Sequence, residues 1–305
     1  MKQTTETPPN VLISGGTGLV GKHLTKLLQE RGYTVCYLSR QKTAQSGVLS
    51  YYWNPERGEL DEKAIRKADY VVHLAGANVG EKRWTEARKQ EILESRTLST
   101  ELLADALESV PHQVKAFIGA SAIGIYGDTL DNAASEDSPH GNDFLANVCK
   151  EWEKQVSLII DAGIRTVVFR IGVVLARESG ALPKMSLPVR WGVGAPIASG
   201  KQWISWIHIY DLCRMFLFGI ENPSLQGIFN AVANATTNRQ FITQIARELK
   251  KPLWIPSIPL FFLKWALGEM HCLVTTSCKV SNQKIKSAGF SFEFEDLERA
   301  LRDLL

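Results

Sequence analysis

Short apolar runs rich in β-branched residues alternate with helix-length amphipathic stretches through the first half of the chain. Val11-Leu12-Ile13 stops at Gly15-Gly16, and the helical spacing Leu24, Leu27, Leu28 takes over directly. Thr34-Val35-Cys36-Tyr37-Leu38 reads as a second buried strand and residues 48–53 as a third. A short helical pattern over 62–67 leads to a fourth, Tyr70-Val71-Val72-His73-Leu74. A long helical stretch over 84–110 breaks before Pro111. A strand at Ala116-Phe117-Ile118, a helix over 143–161 and a strand at Thr166-Val167-Val168-Phe169 follow. Strands joined by helix-length connections pair in parallel and need helices on both faces. Right-handed crossovers then leave ligands at the carboxyl ends of the strands. The pattern predicts an α/β fold, a Rossmann-type doubly wound parallel sheet with a smaller C-terminal capping lobe.

From Gly172 onward the alternation loosens. A Gly-, Pro- and Trp-rich stretch over 188–206 precedes helical patterns over 211–220 and 239–249. The tail carries Pro252, Pro256 and Pro259, two apolar helices and an amphipathic helix over 294–305. The expected division is a disordered N-terminus (1–9), a nucleotide-binding domain (10–175) with a return segment (204–232), and a capping lobe built from 176–203 and 233–305.

The first strand-to-helix junction carries the chemistry. Gly15 permits a tight turn, Gly18 removes a Cβ where a pyrophosphate approaches, and Gly21 lets helix pack on strand. The first-turn amides of that helix have no partners within it and favour an anion. The segment Gly15, Gly16, Thr17, Gly18, Leu19, Val20 and Gly21 is therefore the expected phosphate cradle. The second strand ends at Ser39-Arg40, with Lys42 behind and no acid between Gly32 and Gly47. An acid there would accept from a ribose 2′-hydroxyl; a hydroxyl and a guanidinium suit a 2′-phosphate. The expected cofactor is NADP.

Composition narrows the rest. A net charge of +3 with no Lys/Arg block argues against nucleic acid. Five cysteines, an odd number without metal spacing, fit a reduced, cytoplasmic chain. No His-x-x-x-His pair occurs and no metal is expected. The polar N-terminus, ending in Pro8-Pro9, lacks a signal-peptide apolar segment. The most apolar later stretch, 258–274, contains Lys264, Glu269 and His271 and reads as a buried or groove-forming helix, not a span. No membrane partner is expected.

Small residues Leu74-Ala75-Gly76-Ala77 after the fourth strand let the adenosine half of a cofactor lie against backbone. Ser121 and Tyr126, in Ser121-Ala122-Ile123-Gly124-Ile125-Tyr126-Gly127, supply hydroxyls at the fifth strand's edge that can polarise a carbonyl or relay a proton. His208 with Asp211 is a second candidate pair, against a neutral buried imidazole and a helix N-terminal Asp that explain the spacing equally well. Trp191, Trp203 and Trp206 are candidates for an aromatic-walled pocket.

These motifs, with Trp206-Ile207-His208-Ile209-Tyr210-Asp211-Leu212, resemble the extended short-chain dehydrogenase/reductase superfamily. Lys82-Arg83-Trp84-Thr85, Ser95-Arg96, Arg170-Ile171-Gly172-Val173-Val174-Leu175, Gly194-Ala195-Pro196-Ile197 with Ser199-Gly200, and Leu267-Gly268-Glu269-Met270 narrow the match. They resemble its atypical epimerase family branch, nucleoside-diphosphate-sugar epimerase-like, with a C-terminal domain of unassigned function. The resemblance implies an NADP-dependent oxidoreductase or epimerase-like protein and a small-molecule substrate, with a nucleotide-sugar among the candidates. It places Glu91 and Arg96 beside the nicotinamide half, holding ribose or pyrophosphate unless they form a surface ion pair, and sets Val174 at the nicotinamide amide. Arg170 is placed either to meet a substrate phosphate or to pair internally.

The superfamily's Tyr-x-x-x-Lys pair finds no counterpart: there is no Tyr over 143–155, and Leu145 and Cys149 take the two positions. Lys150 comes one residue late, a rotation of about 100° on a helix. Ser121 and Tyr126 then remain as catalytic candidates, and the alternative is a non-catalytic NADP-binding regulatory or interaction protein. The Gly-Gln-Arg-type segment implied after Met270 is replaced by Thr275-Thr276-Ser277-Cys278-Lys279.

Overall fold

The computed structural model describes residues 8–41 and 47–305. Of the expected N-terminal tail, only Pro8 and Pro9 lie within it, and Lys42 lies outside. Strands β1 (Asn10–Ser14), β2 (Thr34–Ser39), β3 (Leu49–Asn54), β4 (Glu59–Leu60), β5 (Tyr70–His73), β6 (Ala116–Ala122), β7 (Thr166–Ile171), β8 (Val173–Leu175), β9 (Trp203–His208), β10 (Gly227–Ala231) and β11 (Asn234–Thr237) alternate with helices. The helices of the first half are α1 (Leu19–Glu30), α2 (Lys63–Lys67), α3 (Glu86–Ser109) and α4 (Phe144–Asp161). Those of the second are α5 (Ala181–Arg190), α6 (Ile209–Glu221), α7 (Asn238–Glu248), α8 (Leu260–Leu267), α9 (Cys272–Thr275), α10 (Gln283–Ser287) and α11 (Leu297–Leu304).

An eight-stranded sheet runs β10-β7-β6-β5-β1-β2-β3-β4, parallel except for the short β3–β4 pair. Its central strands are buried on both faces, as unbroken runs such as Val11-Leu12-Ile13 and Val167-Val168-Phe169 require. β1 pairs with β2 on one side and β5 on the other, so the strand order reverses there. The crevice beyond those two carboxyl ends is where such sheets bind ligands. Side-chain caps fix the flanking helices: Thr85 accepts from Arg88 N–H at the start of α3, and Asp143 from Ala146 N–H at the start of α4.

A second, three-stranded sheet, β11-β9-β8, was not evident in the sequence pattern. Residues 277–281 strap it to the loop after β6. Thr129 N–H donates to Ser277 O, Ala134 N–H to Lys279 O, and Cys278 N–H to Trp203 O. The stretch Thr275 to Lys279, a departure in sequence, runs from the end of α9 into this strap. The expectation for 258–274 needs correcting. The stretch is broken into α8 and α9 rather than one helix, and α8 buries Leu263 but leaves Phe261 and Trp265 outward.

Candidate functional site

The glycines of the first turn divide by what a side chain would meet. Gly15 has φ +74, and a Cβ there would lie 2.9 Å from the Leu74 carbonyl and Ala75 N. One on Gly16 would enter the Tyr37 ring at 2.3 Å, and one on Gly21 would sit 2.5 Å from Gly15 O. These three are dictated by close packing. Gly18 is different: φ −73 and ψ 177 suit any residue, and the nearest atom is Gly15 O at 3.2 Å. Gly18 starts α1, whose first turn has neither a side-chain cap nor an acid. Bare amides at a helix start beside an unfilled Cβ position fit a phosphate group. Thr17 is exposed there, and Leu19 and Val20 are half-buried.

Ser14 and His73 set the neighbouring loop. Ser14 Oγ lies 2.6 Å from His73 Nδ1 and accepts from Leu74 N–H at 3.2 Å and, more weakly, Ala75 N–H at 3.4 Å. Thr100 and Ser99 of α3 meet the other imidazole nitrogen. Burial, with a smaller push from Arg96, drives the His73 pKa down to about 3, so the ring is neutral. Arg96 donates to Ile92 O and Ala77 O and lies over the Trp152 ring. A Cβ on Gly76 would be 3.1 Å from the Arg96 guanidinium carbon, so Leu74, Ala75 and Gly76 run past a half-buried cation.

At the other end, Ser39 Oγ accepts from Gln41 N–H and Arg40 is exposed. Glu91 does not reach Arg96. Its carboxylate pairs with Arg88 at 2.7 Å, and that hydrogen bond, with weaker pulls from Lys82 and Arg40, holds it below the usual carboxylate range. Glu91 therefore lies toward Arg40, and Arg96 toward Gly76. Val174 O and Leu19 Cδ2 approach the same point at Gly180, 3.7 and 3.5 Å from its Cβ position. Residue 174 thus stands beside the start of α1.

Ser121 and Tyr126 belong to a buried network. Ser121 Oγ donates to Glu153 Oε1 at 2.6 Å, and Arg170 grips both Glu153 oxygens at 2.8 Å. Arg170 also donates to the Tyr126 hydroxyl at 2.9 Å, which donates in turn to Asn230 Oδ1 at 2.7 Å. Both hydroxyl-bearing residues are under 5% exposed, at 3% and 4%. Burial pushes the Tyr126 phenol up, against smaller pulls from Arg170 and Asn230. The internal pairing of Arg170 is the geometry found. Glu153 and Asn230 were missed in sequence; they lie 32 and 104 residues from their partners Ser121 and Tyr126. Leu145 Cβ and Cys149 Sγ face Gly124 at 3.5 and 3.9 Å from its Cβ position, so both point at the turn after β6. Burial pushes the Cys149 thiol up to about 12. Lys150 is on another face and its field reaches His140.

Other candidates separate. His208 Nδ1 accepts from Tyr210 N–H, and the ring stacks on Phe294 at 3.9 Å. Asp211 accepts from Arg214 and from the backbone of Glu293 and Phe294. The two start α6 and pin the tail, and they do not bond each other. A cleft of about 490 Å³ opens beside His208, but none of its lining residues belongs to the glycine turn. The tryptophans form no wall: Trp206 is fully buried, Trp191 is 74% exposed, and Trp203 bonds Asp131. Among the described residues, no group of three or more His, Cys, Asp or Glu is placed to hold a metal ion.

The profile of the NAD dependent epimerase/dehydratase family matches residues 11–231, from β1 through β10. The chain belongs to that family. A domain of unknown function, DUF1731, matches residues 258–304. Epimerase family protein YfhF of Bacillus subtilis (strain 168) is 39% identical over 300 residues, covering 97% of this chain and 98% of that one. The crystal structure of human epimerase family protein SDR39U1 (isoform 2) with NADPH superimposes with a TM-score of 0.88 at 33% identity, covering 97% and 98% of the two chains. The nucleoside-diphosphate sugar epimerase of Corynebacterium glutamicum gives 0.80 at 31% identity, covering 98% of this chain and 58% of that one.

Proposed function

We propose that this chain binds NADP(H) along the edge formed by the glycine turn, residues 74–76, Arg96 and Val174, and acts as an oxidoreductase or epimerase-like enzyme on a small substrate. The observation that carries the reading is the unfilled Gly18 position at the uncapped start of α1, with basic Arg40 and no acid at the end of β2. NADPH in the human SDR39U1 structure supports the choice of dinucleotide. Gly15 to Gly21 would hold the pyrophosphate, Ser39 and Arg40 the 2′-phosphate, and Leu74, Ala75 and Gly76 the adenosine half. The ion pair of Glu91 with Arg88 favours a structural role over the place beside the nicotinamide half that the resemblance implies for it. When bound, the nicotinamide supplies reversible hydride transfer. The substrate space proposed lies beyond β6 and β7, with the nucleoside-diphosphate sugar of the Corynebacterium relative's name as the leading class.

Within this reading Ser121 and Tyr126 act on the substrate oxygen as acid and base, without a Tyr-x-x-x-Lys pair on α4. One observation favours a second reading, cofactor binding without turnover: both hydroxyls are already bonded to Glu153 and Asn230. NADPH oxidation assayed over carbonyl compounds and oxidised nucleotide-sugars separates them. Turnover that Tyr126→Phe lowers at least about tenfold, with NADPH affinity retained, supports catalysis. Tight NADPH binding with no turnover on any substrate supports the second reading.

A further inference from the structure

Residues 250–268 contain Lys250, Lys251 and Lys264 and no acid. In the same stretch Trp254, Phe261 and Trp265 are 78%, 74% and 77% exposed, with Phe262 beside Trp265 at 5.9 Å between ring centroids. Phe261 and Trp265 stand one turn apart on α8 and share a face. So many outward rings in one stretch mark an interaction surface rather than scattered surface apolars.

The surface is held in place. Arg83 donates to the carbonyls of Trp265 and Ala266, and Lys89 pairs with Glu269 just beyond the helix. At the other end Ile258 exchanges backbone hydrogen bonds with Pro196 and Ala198. Leu263 is the inward anchor. Phe261, Phe262 and Trp265 are thus presented by a helix fixed at both ends, with Trp254 on the segment before it.

Charge decides what covers it. Lys264 sits between Phe262 and Trp265, and the cores of protein interfaces are depleted in lysine. At a bilayer surface the same arrangement fits: rings enter the headgroup layer, and lysine stems extend back to lipid phosphates. We propose that α8 and the preceding segment, residues 250–267, form a peripheral docking face for an anionic phospholipid surface. This is contact with the bilayer surface, since among the described residues no helix is long and apolar enough to cross one. It goes beyond the sequence expectation of no membrane partner and is independent of the cofactor reading.

The test is co-sedimentation of the full chain with vesicles of phosphatidylcholine alone and of phosphatidylcholine with phosphatidylserine. The chain pellets with the second and not the first, and salt weakens it. Lys250→Glu/Lys251→Glu/Lys264→Glu lowers partitioning about fivefold or more per lysine, while Phe261→Ser/Trp265→Ser lowers it at least about tenfold. These positions are exposed, so both variants melt near the parent. Should either fold poorly, quenching of the parent's Trp emission by brominated phosphatidylserine gives the same answer. No pelleting at low salt, equal binding to both lipids, or no bromolipid quenching overturns the proposal. A dimer in light scattering that Phe261→Ser/Trp265→Ser splits into monomers also overturns it, since a second copy would then cover the face.

Discussion

The Ser14 hydroxyl lies 2.6 Å from His73 Nδ1 and joins the carboxyl ends of β1 and β5 at the point where the strand order reverses. The imidazole reaches α3 through Thr100, and the same Ser14 oxygen accepts from Leu74 N–H. One neutral buried ring thereby ties the strand carrying the glycine turn to the loop and helix opposite it.

That ring makes stability acid-sensitive. The folded His73 pKa is about 3, below the 6.5 of an unperturbed histidine. Below about pH 6.5 the unfolded chain takes a proton that the folded chain does not. The contribution is therefore complete above that pH and falls as pH drops, by up to about 1.4 kcal/mol per unit. Buried His208, also lowered, acts in the same direction. Urea unfolding at about pH 7 and about pH 5 should differ by about 2 kcal/mol or more. His73→Gln should be less stable at the higher pH and show a shallower slope.

The glycines of the turn should respond differently to alanine. Gly21→Ala forces a methyl to within 2.5 Å of Gly15 O and should destabilise the fold by about 1–3 kcal/mol. Gly18→Ala has an ordinary backbone, and its methyl would meet Gly15 O at a tight 3.2 Å that a few tenths of an ångström relieve, so its melting temperature should fall much less than that of Gly21→Ala. Its NADPH dissociation constant should rise at least about tenfold, because the methyl occupies the space proposed for phosphate. Thermal melts and fluorescence titration check both.

Arg170 and Glu153 form a bidentate pair at 2% and 11% side-chain exposure. Arg170→Met leaves a nearly buried carboxylate unpaired and should cost about 3–5 kcal/mol. Arg170→Met with Glu153→Leu should recover most of that loss, since no charge is then stranded. Chemical denaturation of both variants measures it.

The order strand, glycines, helix was readable because the phosphate turn is local and its glycines are close in sequence. The sheet's alternation was readable for the same reason. The β8-β9-β11 sheet was not: its strands are short, and Trp203 meets Thr237 and Cys278 from far along the chain. Hydroxyl-bearing residues such as Ser121 and Tyr126 are visible in a sequence, but their partners Glu153, Arg170 and Asn230 come from three other elements. Apolar content marked 258–274 as a helix and gave no sign that one face would stay uncovered. His73 carries a usable signal, a titratable side chain within an otherwise apolar buried run.

The central claim is that a dinucleotide carrying a 2′-phosphate sits on the glycine turn with Arg40 at its adenosine end. Calorimetric titration of the parent and Arg40→Glu with NADPH and NADH tests it most directly. NADPH should bind the parent at least about tenfold tighter than NADH does, with that gap closed in Arg40→Glu. No heat with NADPH, or equal affinity of the parent for both dinucleotides, would contradict it.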